Sequence, residues 1–121
     1  MEIKKPVGEV FAYAIDPRNT HKWINFIVKE ETNEWPVGIG SEYANQNQAG
    51  KWSGYKVTGF EKDKLFELTS KDGNYHVRYT FIPMDNKSCT LDYYEWVDNG
   101  ELENPFLNSH LLKLKSLLET N

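Results

Sequence analysis

The stretch that decides the fold is Asn104-Pro105-Phe106-Leu107-Asn108-Ser109-His110-Leu111-Leu112-Lys113-Leu114-Lys115-Ser116-Leu117-Leu118-Glu119. Asn104 suits an N-cap, because its side chain can accept a hydrogen bond from a free N–H of the first turn. Pro105 suits the first helical position, where a missing donor is harmless. Four leucines then fall on one helical face, namely Leu107, Leu111, Leu114 and Leu118. We therefore predict a long amphipathic helix over this stretch.

The segment between Phe26 and Val97 consists mostly of predicted strands joined by short turns. The clearest alternation runs from Tyr75 to Ile82, and Asp72-Gly73 before it is a strong hairpin signal. The predicted strands are Phe26–Glu31, Ser41–Gln48, Trp52–Phe60, Leu65–Ser70, Tyr75–Ile82 and Cys89–Val97, with a turn over Pro83–Asn86. Successive strands with short turns form an antiparallel meander. Such a sheet has one apolar face that needs a cover, so we expect it to curl around the C-terminal helix.

The N-terminal quarter predicts a short strand and two short helices. Met1–Lys4 can form only a short strand, and Pro6 opens the first helix. Asp16-Pro17 repeats the start signal for a second helix to about Asn25. The short first strand leaves one sheet edge weakly protected, and unpaired edges favour association. We therefore include a homodimer through that edge among the expected partners.

Composition narrows the class of protein. The 121 residues fit one domain over 1–121. The single cysteine, Cys89, excludes an internal disulfide and favours a cytoplasmic location. No run of about 18 apolar residues exists, so we expect no membrane span. The net charge of −4 argues against a nucleic acid partner, and an aromatic content of 14% indicates a lined pocket or an interface.

The sequence gives no support for a metal or a cofactor. His21, His76 and His110 lie on different elements and no two have ligand spacing, whereas a zinc site needs closely placed ligands. Gly38-x-Gly40 opens no helix, so it lacks the structural context of a dinucleotide site. We expect neither a metal nor a cofactor.

The catalytic residues stay unknown, with Glu95 as the one candidate. Glu95 shares the strand phase of Leu91, Tyr93 and Val97, so alternation directs it to the interior. Desolvation there would raise its pKa, which suits a general acid or base. The alternative is that the strand end is open to water, or that a bulge shifts the phase.

Several tyrosines also fall in the inward phase. Either their hydroxyls bond one another in a filled core, or they form the wall of a pocket. The second interpretation predicts a cavity between the middle strands and the C-terminal helix. Its predicted ligand-binding residues are Tyr43, Tyr55, Tyr79, Phe81, Tyr93, Leu107, His110, Leu111 and Leu114.

Four local motifs carry a resemblance to a known superfamily. Ile3–Phe11 has the pattern I-x-x-P-x-x-x-V-F, and Ile15–Trp23 contains D-P-x-x-x-x-x-W. Val37–Ser41 has the pattern x-G-x-G-[ST], and Val57–Phe66 has V-T-x-F-x-x-x-x-L-F. In this order they resemble the START-like (SRPBCC) superfamily over nearly the whole chain, closest to its polyketide cyclase/dehydrase-like branch. The resemblance implies an α+β helix-grip fold, in which a curved antiparallel β-sheet wraps around a long C-terminal α-helix and two short helices lie near the N-terminus. It also implies a hydrophobic cavity between sheet and helix. No matching catalytic set is present, so the resemblance assigns no reaction.

These observations predict binding of a small hydrophobic or amphiphilic ligand, lipids included. Two alternatives stay open. One is a polyketide cyclase/dehydratase-like enzyme that uses acid–base residues in the cavity. The other is a protein-partner, chaperone-associated module that docks through Trp35 or Trp96. Whether the protein is an enzyme is left undecided by the sequence.

Overall fold

The computed structural model describes residues 1–102 and 105–120 of the chain. Its elements in order are β1 (Glu2–Ile3), α1 (Val7–Ile15), α2 (Thr20–Trp23), β2 (Lys29–Thr32), β3 (Glu42–Gln46), β4 (Trp52–Glu61), β5 (Leu65–Ser70), β6 (Tyr75–Asp85), β7 (Ser88–Val97) and α3 (Asn108–Glu119). The strands form one curved antiparallel sheet in the order β1-β7-β6-β5-β4-β3-β2. Helix α3 packs against β1 and α2, while α1 packs against β6. The predicted α+β helix-grip architecture is confirmed.

Short turns set the register of the meander. Gly73 has φ 81°, a left-handed conformation that glycine adopts without strain, and the preceding Asp72 carboxylate accepts the Asn74 N–H at 2.9 Å. The predicted turn over Pro83–Asn86 is wrong in extent, because β6 continues through a bulge between Pro83 and Asp85. A bulge accommodates a proline that cannot donate to the ladder. The turn itself is only Asn86 and Lys87.

The predicted strand phase holds in the two longest strands. Val77, Tyr79 and Phe81 of β6 are buried, and so are Cys89 and Leu91 of β7. These side chains form one cluster with α1 and α3. Alternation predicts this face correctly because one side of the sheet is covered by helices and the other meets water.

Helix α3 begins later than predicted. It starts at Asn108, with the Leu107 carbonyl accepting the His110 N–H at 2.9 Å, so Pro105 is not its first residue. The predicted N-cap, Asn104, lies outside the described residues. Phe106 is held by the sheet instead, where its ring stacks on Tyr93. This tertiary contact overrides the local start signal.

The inward face of α3 is otherwise as the leucine spacing predicts. Its buried residues are His110, Leu111, Leu114 and Leu118. Leu107 is the exception: it precedes the first turn and is 56% exposed. The late start therefore removes Leu107 from the helical face on which the sequence placed it.

The second N-terminal helix is also shorter than predicted. Asp16 ends α1 and does not cap α2, because its carboxylate accepts the Arg18 N–H at 2.9 Å and pairs with the Arg18 guanidinium at 2.7 Å. Helix α2 then needs only four residues to bring Trp23 to the core, where this side chain has no exposed surface.

Strand β1 covers only the start of β7. Glu2 pairs with Thr90 and Ile3 with Cys89, and the amino group of Met1 donates to the Leu91 carbonyl at 2.8 Å. The rest of β7 extends past the end of β1, as the short N-terminal strand predicts. Within the described ranges, no helix is long and apolar enough to cross a membrane.

Candidate functional site: an aromatic cavity with a buried carboxyl group

A cavity of about 540 Å³ lies under the helix-facing side of β2 to β6. Its apolar wall is formed by Ala14, Ile15, Ile24, Ile27, Tyr43, Tyr55, Phe66, Leu68, Tyr75, Val77, Tyr79, Tyr93 and Phe106. Polar side chains inside it are Thr20, Glu30, Asn45, Ser53 and Ser70. The side of the cavity opposite the sheet is formed by the end of α1, by α2 and by the non-helical segment before α3. No residue of α3 lines the cavity.

Short helices leave this space open. Helix α2 ends at Trp23, so nothing helical continues across the face of β3 and β4. Trp23 itself fills the adjoining core, edge-on to Tyr79 and Phe106 with ring centroids 6.1 and 6.0 Å away. The cavity begins where that aromatic packing stops.

The tyrosines of the wall are protonated hydrogen-bond donors. The Tyr43 hydroxyl donates to the Ile15 carbonyl at 2.7 Å, which fixes β3 against α1. Burial raises the pKa of Tyr43, Tyr55 and Tyr79 above the ordinary phenol value. The rings of Tyr55 and Tyr75 meet edge-on, 6.1 Å apart.

Glu30 supplies the carboxyl group of the cavity. Its Oε1 accepts the Thr20 hydroxyl at 2.6 Å, and its Oε2 accepts the Asn45 amide at 3.4 Å. Burial raises the pKa of Glu30 from 4.5 to about 7, although both hydrogen bonds act in the opposite direction. In the described part of the chain, Glu30 has no ion-pair partner.

Strand pairing explains why this carboxyl group points inward. Glu30 pairs with Asn45 in the β2–β3 ladder, whereas its neighbours Lys29 and Glu31 face water and pair with each other at 3.3 Å. Glu30 was not predicted as a site residue, because it lies in a run of three charged residues with no hydropathy contrast. The predicted strand also began at Phe26, three residues before β2 begins.

Glu95 points inward as alternation predicts, but it is bonded on every side. Its Oε2 accepts the hydroxyls of Tyr75 at 2.6 Å and Tyr93 at 3.5 Å. Its Oε1 accepts the backbone N–H of Phe106. Glu95 does not line the cavity. This arrangement ties the segment before α3 to β7, and a catalytic role for Glu95 stays an untested prediction.

The predicted ligand-binding residues separate into two groups. Tyr43, Tyr55, Tyr79 and Tyr93 line the cavity. The residues that do not line it are Phe81, Leu107, His110, Leu111 and Leu114. The cavity was predicted to lie against the C-terminal helix, but it lies closer to α1 and α2. The leucines of α3 pack directly into the core instead.

His110 and Phe81 have structural surroundings. His110 is 1% exposed, lies 4.8 Å from the Phe106 ring centroid and 5.5 Å from that of Phe26, and burial lowers its pKa. Phe81 packs edge-on against Phe11 at 5.0 Å. Neither side chain has access to the cavity, so a ligand contact at these positions stays a prediction without geometric support.

A second polar cluster lies on the opposite face of the sheet. The Thr69 hydroxyl is 3.0 Å from Nδ1 of His76, whose Nε2 is 3.0 Å from Asp98. The His76 ring stacks on Trp96 with centroids 4.8 Å apart, and Arg78 lies over the same indole. None of these residues lines the cavity. The cluster holds β5, β6 and β7 together on the solvent side.

Metal binding has no geometric basis in the part of the chain that the structure covers. No group of three or more His, Cys, Asp or Glu side chains there could hold a metal ion. Cys89 is buried, and burial raises the pKa of its thiol, which disfavours the reactive thiolate.

Comparisons with known proteins are informative at the level of structure. No protein-family model matches the sequence, and no curated protein matches it. A START superfamily protein from Mycobacterium smegmatis superposes with a TM-score of 0.74 at 13% identity, over 99% of this chain and 94% of that one. The Aha1 dimer from Colwellia psychrerythraea gives a TM-score of 0.68 at 16% identity, over 98% and 92%.

A third similar structure is a Polyketide_cyc-like protein from Corynebacterium glutamicum, with a TM-score of 0.58 at 20% identity, over 80% of this chain and 62% of that one. At such identities the likeness concerns the fold. Element order, sheet topology and these superpositions agree, and the chain has the START-like helix-grip fold.

Proposed function

We propose that the protein binds a small, largely apolar ligand in the cavity under β2 to β6. The observation that carries this proposal is the cavity itself, about 540 Å³, whose wall combines aromatic and aliphatic side chains with polar ones. Ligand sites typically have volumes of roughly 300–1,000 Å³ and place a few polar groups among apolar ones. The fold is compatible with this role, since similar structures include a START superfamily protein.

The wall favours flat or amphiphilic molecules. The half-buried rings of Tyr55 and Tyr75 offer aromatic contacts, and Thr20, Asn45 and Glu30 offer hydrogen bonds. A ligand with an apolar body and one polar end matches this distribution. A phosphate placed beside Glu30 would be repelled by that carboxylate.

A thermal-shift screen tests the proposal. Wild-type protein is melted with fatty acids, sterols and polyaromatic compounds, since a ligand at a hundredfold excess over Kd stabilises the folded state by about 2.7 kcal/mol. Ser53→Trp should abolish any shift, because Ser53 lines the cavity and an indole would occupy it. Lys56→Trp is the matched control on the exposed side of the same strand.

If no apolar compound raises the melting temperature, or if Ser53→Trp and wild type respond equally, the cavity is not the binding site. The protein-partner alternative, through exposed Trp35 or through Trp96 on the opposite face, would then become the better proposal.

Acid–base catalysis is a second candidate function, favoured by one observation. Glu30 has a pKa of about 7 and shares Asn45 as a neighbour with the Tyr55 hydroxyl, so a carboxyl group and a phenol converge on one ligand volume. Glu30 and Tyr55 would then act as the general acid and base, the role predicted from the sequence for Glu95. Turnover of an enolisable ketone that Glu30→Gln abolishes would support this candidate.

A further inference from the structure

The carboxyl group of Glu30 lacks the partner that such a group normally has. Buried carboxylates are costly unless they are paired with a cation. Here the two donors are the neutral Thr20 hydroxyl and the Asn45 amide. Glu95, the other inward carboxylate, accepts three donors and so has no comparable deficit.

The unmet part of the Glu30 carboxylate faces the cavity. A carboxylate offers about four acceptor positions, and protein groups occupy two of them here. Because Glu30 lines the cavity, a bound molecule can reach the others. The missing partner can therefore come from the ligand.

The rings around this position favour a cation over a neutral donor. Tyr43, Tyr55 and Tyr79 line the same cavity, and Tyr43 pairs directly with Tyr55 across β3 and β4, next to the Asn45 that donates to Glu30. Aromatic faces attract ammonium groups, most strongly where water is excluded. A ligand carboxylate would meet repulsion from Glu30 instead.

The mouth of the cavity does not reverse this preference. Its charged residues are Lys51, Lys71, Asp72 and Glu101, two of each sign. The Lys71 ammonium is held 2.9 Å from Glu42. The charge that distinguishes the interior is therefore that of Glu30.

We propose that the ligands of this cavity are organic amines, in which an apolar, preferably aromatic body lies among the tyrosines and a protonated amino group binds the Glu30 carboxylate. This inference rests on the proposed function and names the class of ligand. It assigns Glu30 as the residue that determines specificity.

The test uses three ligands that share one body and differ in the polar end: 2-(2-naphthyl)ethylamine, 2-(2-naphthyl)ethanol and 2-naphthylacetic acid. Their Kd values are measured by calorimetry at about pH 8, where Glu30 is ionised. The amine should bind about tenfold to a hundredfold more tightly than the alcohol, as close charge pairs and charged hydrogen bonds imply. The acid should bind most weakly.

Glu30→Gln should remove the preference for the amine while the alcohol still binds. Glu31→Gln is the matched control, since it makes the same charge change one residue away on the exposed face. If Glu30→Gln does not fold, Glu30→Asp takes its place, because it keeps the charge but withdraws the carboxylate and should reduce the preference.

Equal binding of the amine and the alcohol by wild-type protein would overturn the amine assignment and leave the cavity function intact. So would tightest binding of the acid, or an unchanged amine preference in Glu30→Gln. If none of the compounds in this set or in the apolar screen binds, the proposed function itself fails.

Discussion

The Glu30 carboxyl group, whose charged form is disfavoured by burial in the cavity, should make stability depend on pH in a specific way. The pKa of Glu30 is about 7 in the folded protein, against 4.5 for an ordinary glutamate. Between these values the folded state holds a proton that the unfolded state has lost, so the free energy of unfolding falls as pH rises. Each pKa unit corresponds to about 1.36 kcal/mol, so the full effect is about 3 kcal/mol at pH 8.

Glu30→Gln removes this titration and keeps a similar shape. We therefore expect the variant to gain about 3 kcal/mol relative to wild type between pH 4.5 and pH 8, a sizeable fraction of a typical stability of about 5–15 kcal/mol. Urea unfolding at several pH values, followed by tryptophan fluorescence, measures the difference. Carboxyl groups whose pKa is lowered, such as Asp16 and Asp72, contribute equally to both proteins and cancel.

Glu31→Gln is again the control, because it removes a carboxyl group from the exposed face of the same strand. The m-values of the proteins must agree for the comparison to hold. Parallel stability curves for wild type and Glu30→Gln would refute the reasoning, because they would show that Glu30 is hydrated as in an unfolded chain.

Three further outcomes are expected from other parts of the fold. Combining Leu111→Ala with Leu114→Ala should largely unfold the protein in a thermal melt, at about 2–5 kcal/mol for each side chain, whereas Leu112→Ala on the exposed face should melt close to wild type. Glu95→Ala leaves three donors without their acceptor, and should cost about 1–3 kcal/mol in urea unfolding and speed amide exchange at Phe106. Sedimentation should show self-association through the β7 edge beyond β1, and a strict monomer at high concentration would contradict that expectation.

Much of the sheet could be predicted from alternation alone. Val77, Tyr79 and Phe81 are buried as predicted, because helices cover one face of β6 and leave the other in water. Pro105 shows where local signals fail: it has the features of a helix start, yet the contacts of Phe106 with Tyr93 and Glu95 keep this segment out of the helix. Those contacts join Phe106 to a neighbouring strand and have no signature in the helical pattern itself.

The position of the cavity could not be predicted for a related reason. The leucines of α3 indicate an apolar face, but their pattern is the same whether that face fills a core or borders a void. The void arises elsewhere, beside β3 and β4, beyond the point where α2 stops at Trp23.

The two inward carboxyl groups of this protein, Glu95 and Glu30, have different roles. Glu95 has a structural role, and Glu30 is placed to bind a ligand. Alternation could place Glu95 inside, but it could not show that Tyr75, Tyr93 and Phe106 would each donate a hydrogen bond to it. Glu95 also does not line the cavity, so it is not placed to bind a ligand there. Glu30 has two neutral donors, no cation and an open side, so its desolvation is only partly compensated by the protein. A ligand that completes the bonding of Glu30 would recover that cost on binding. An inward position alone, as in Glu95, therefore does not indicate a binding site. The incomplete hydrogen bonding of Glu30, on the open side of the cavity, does.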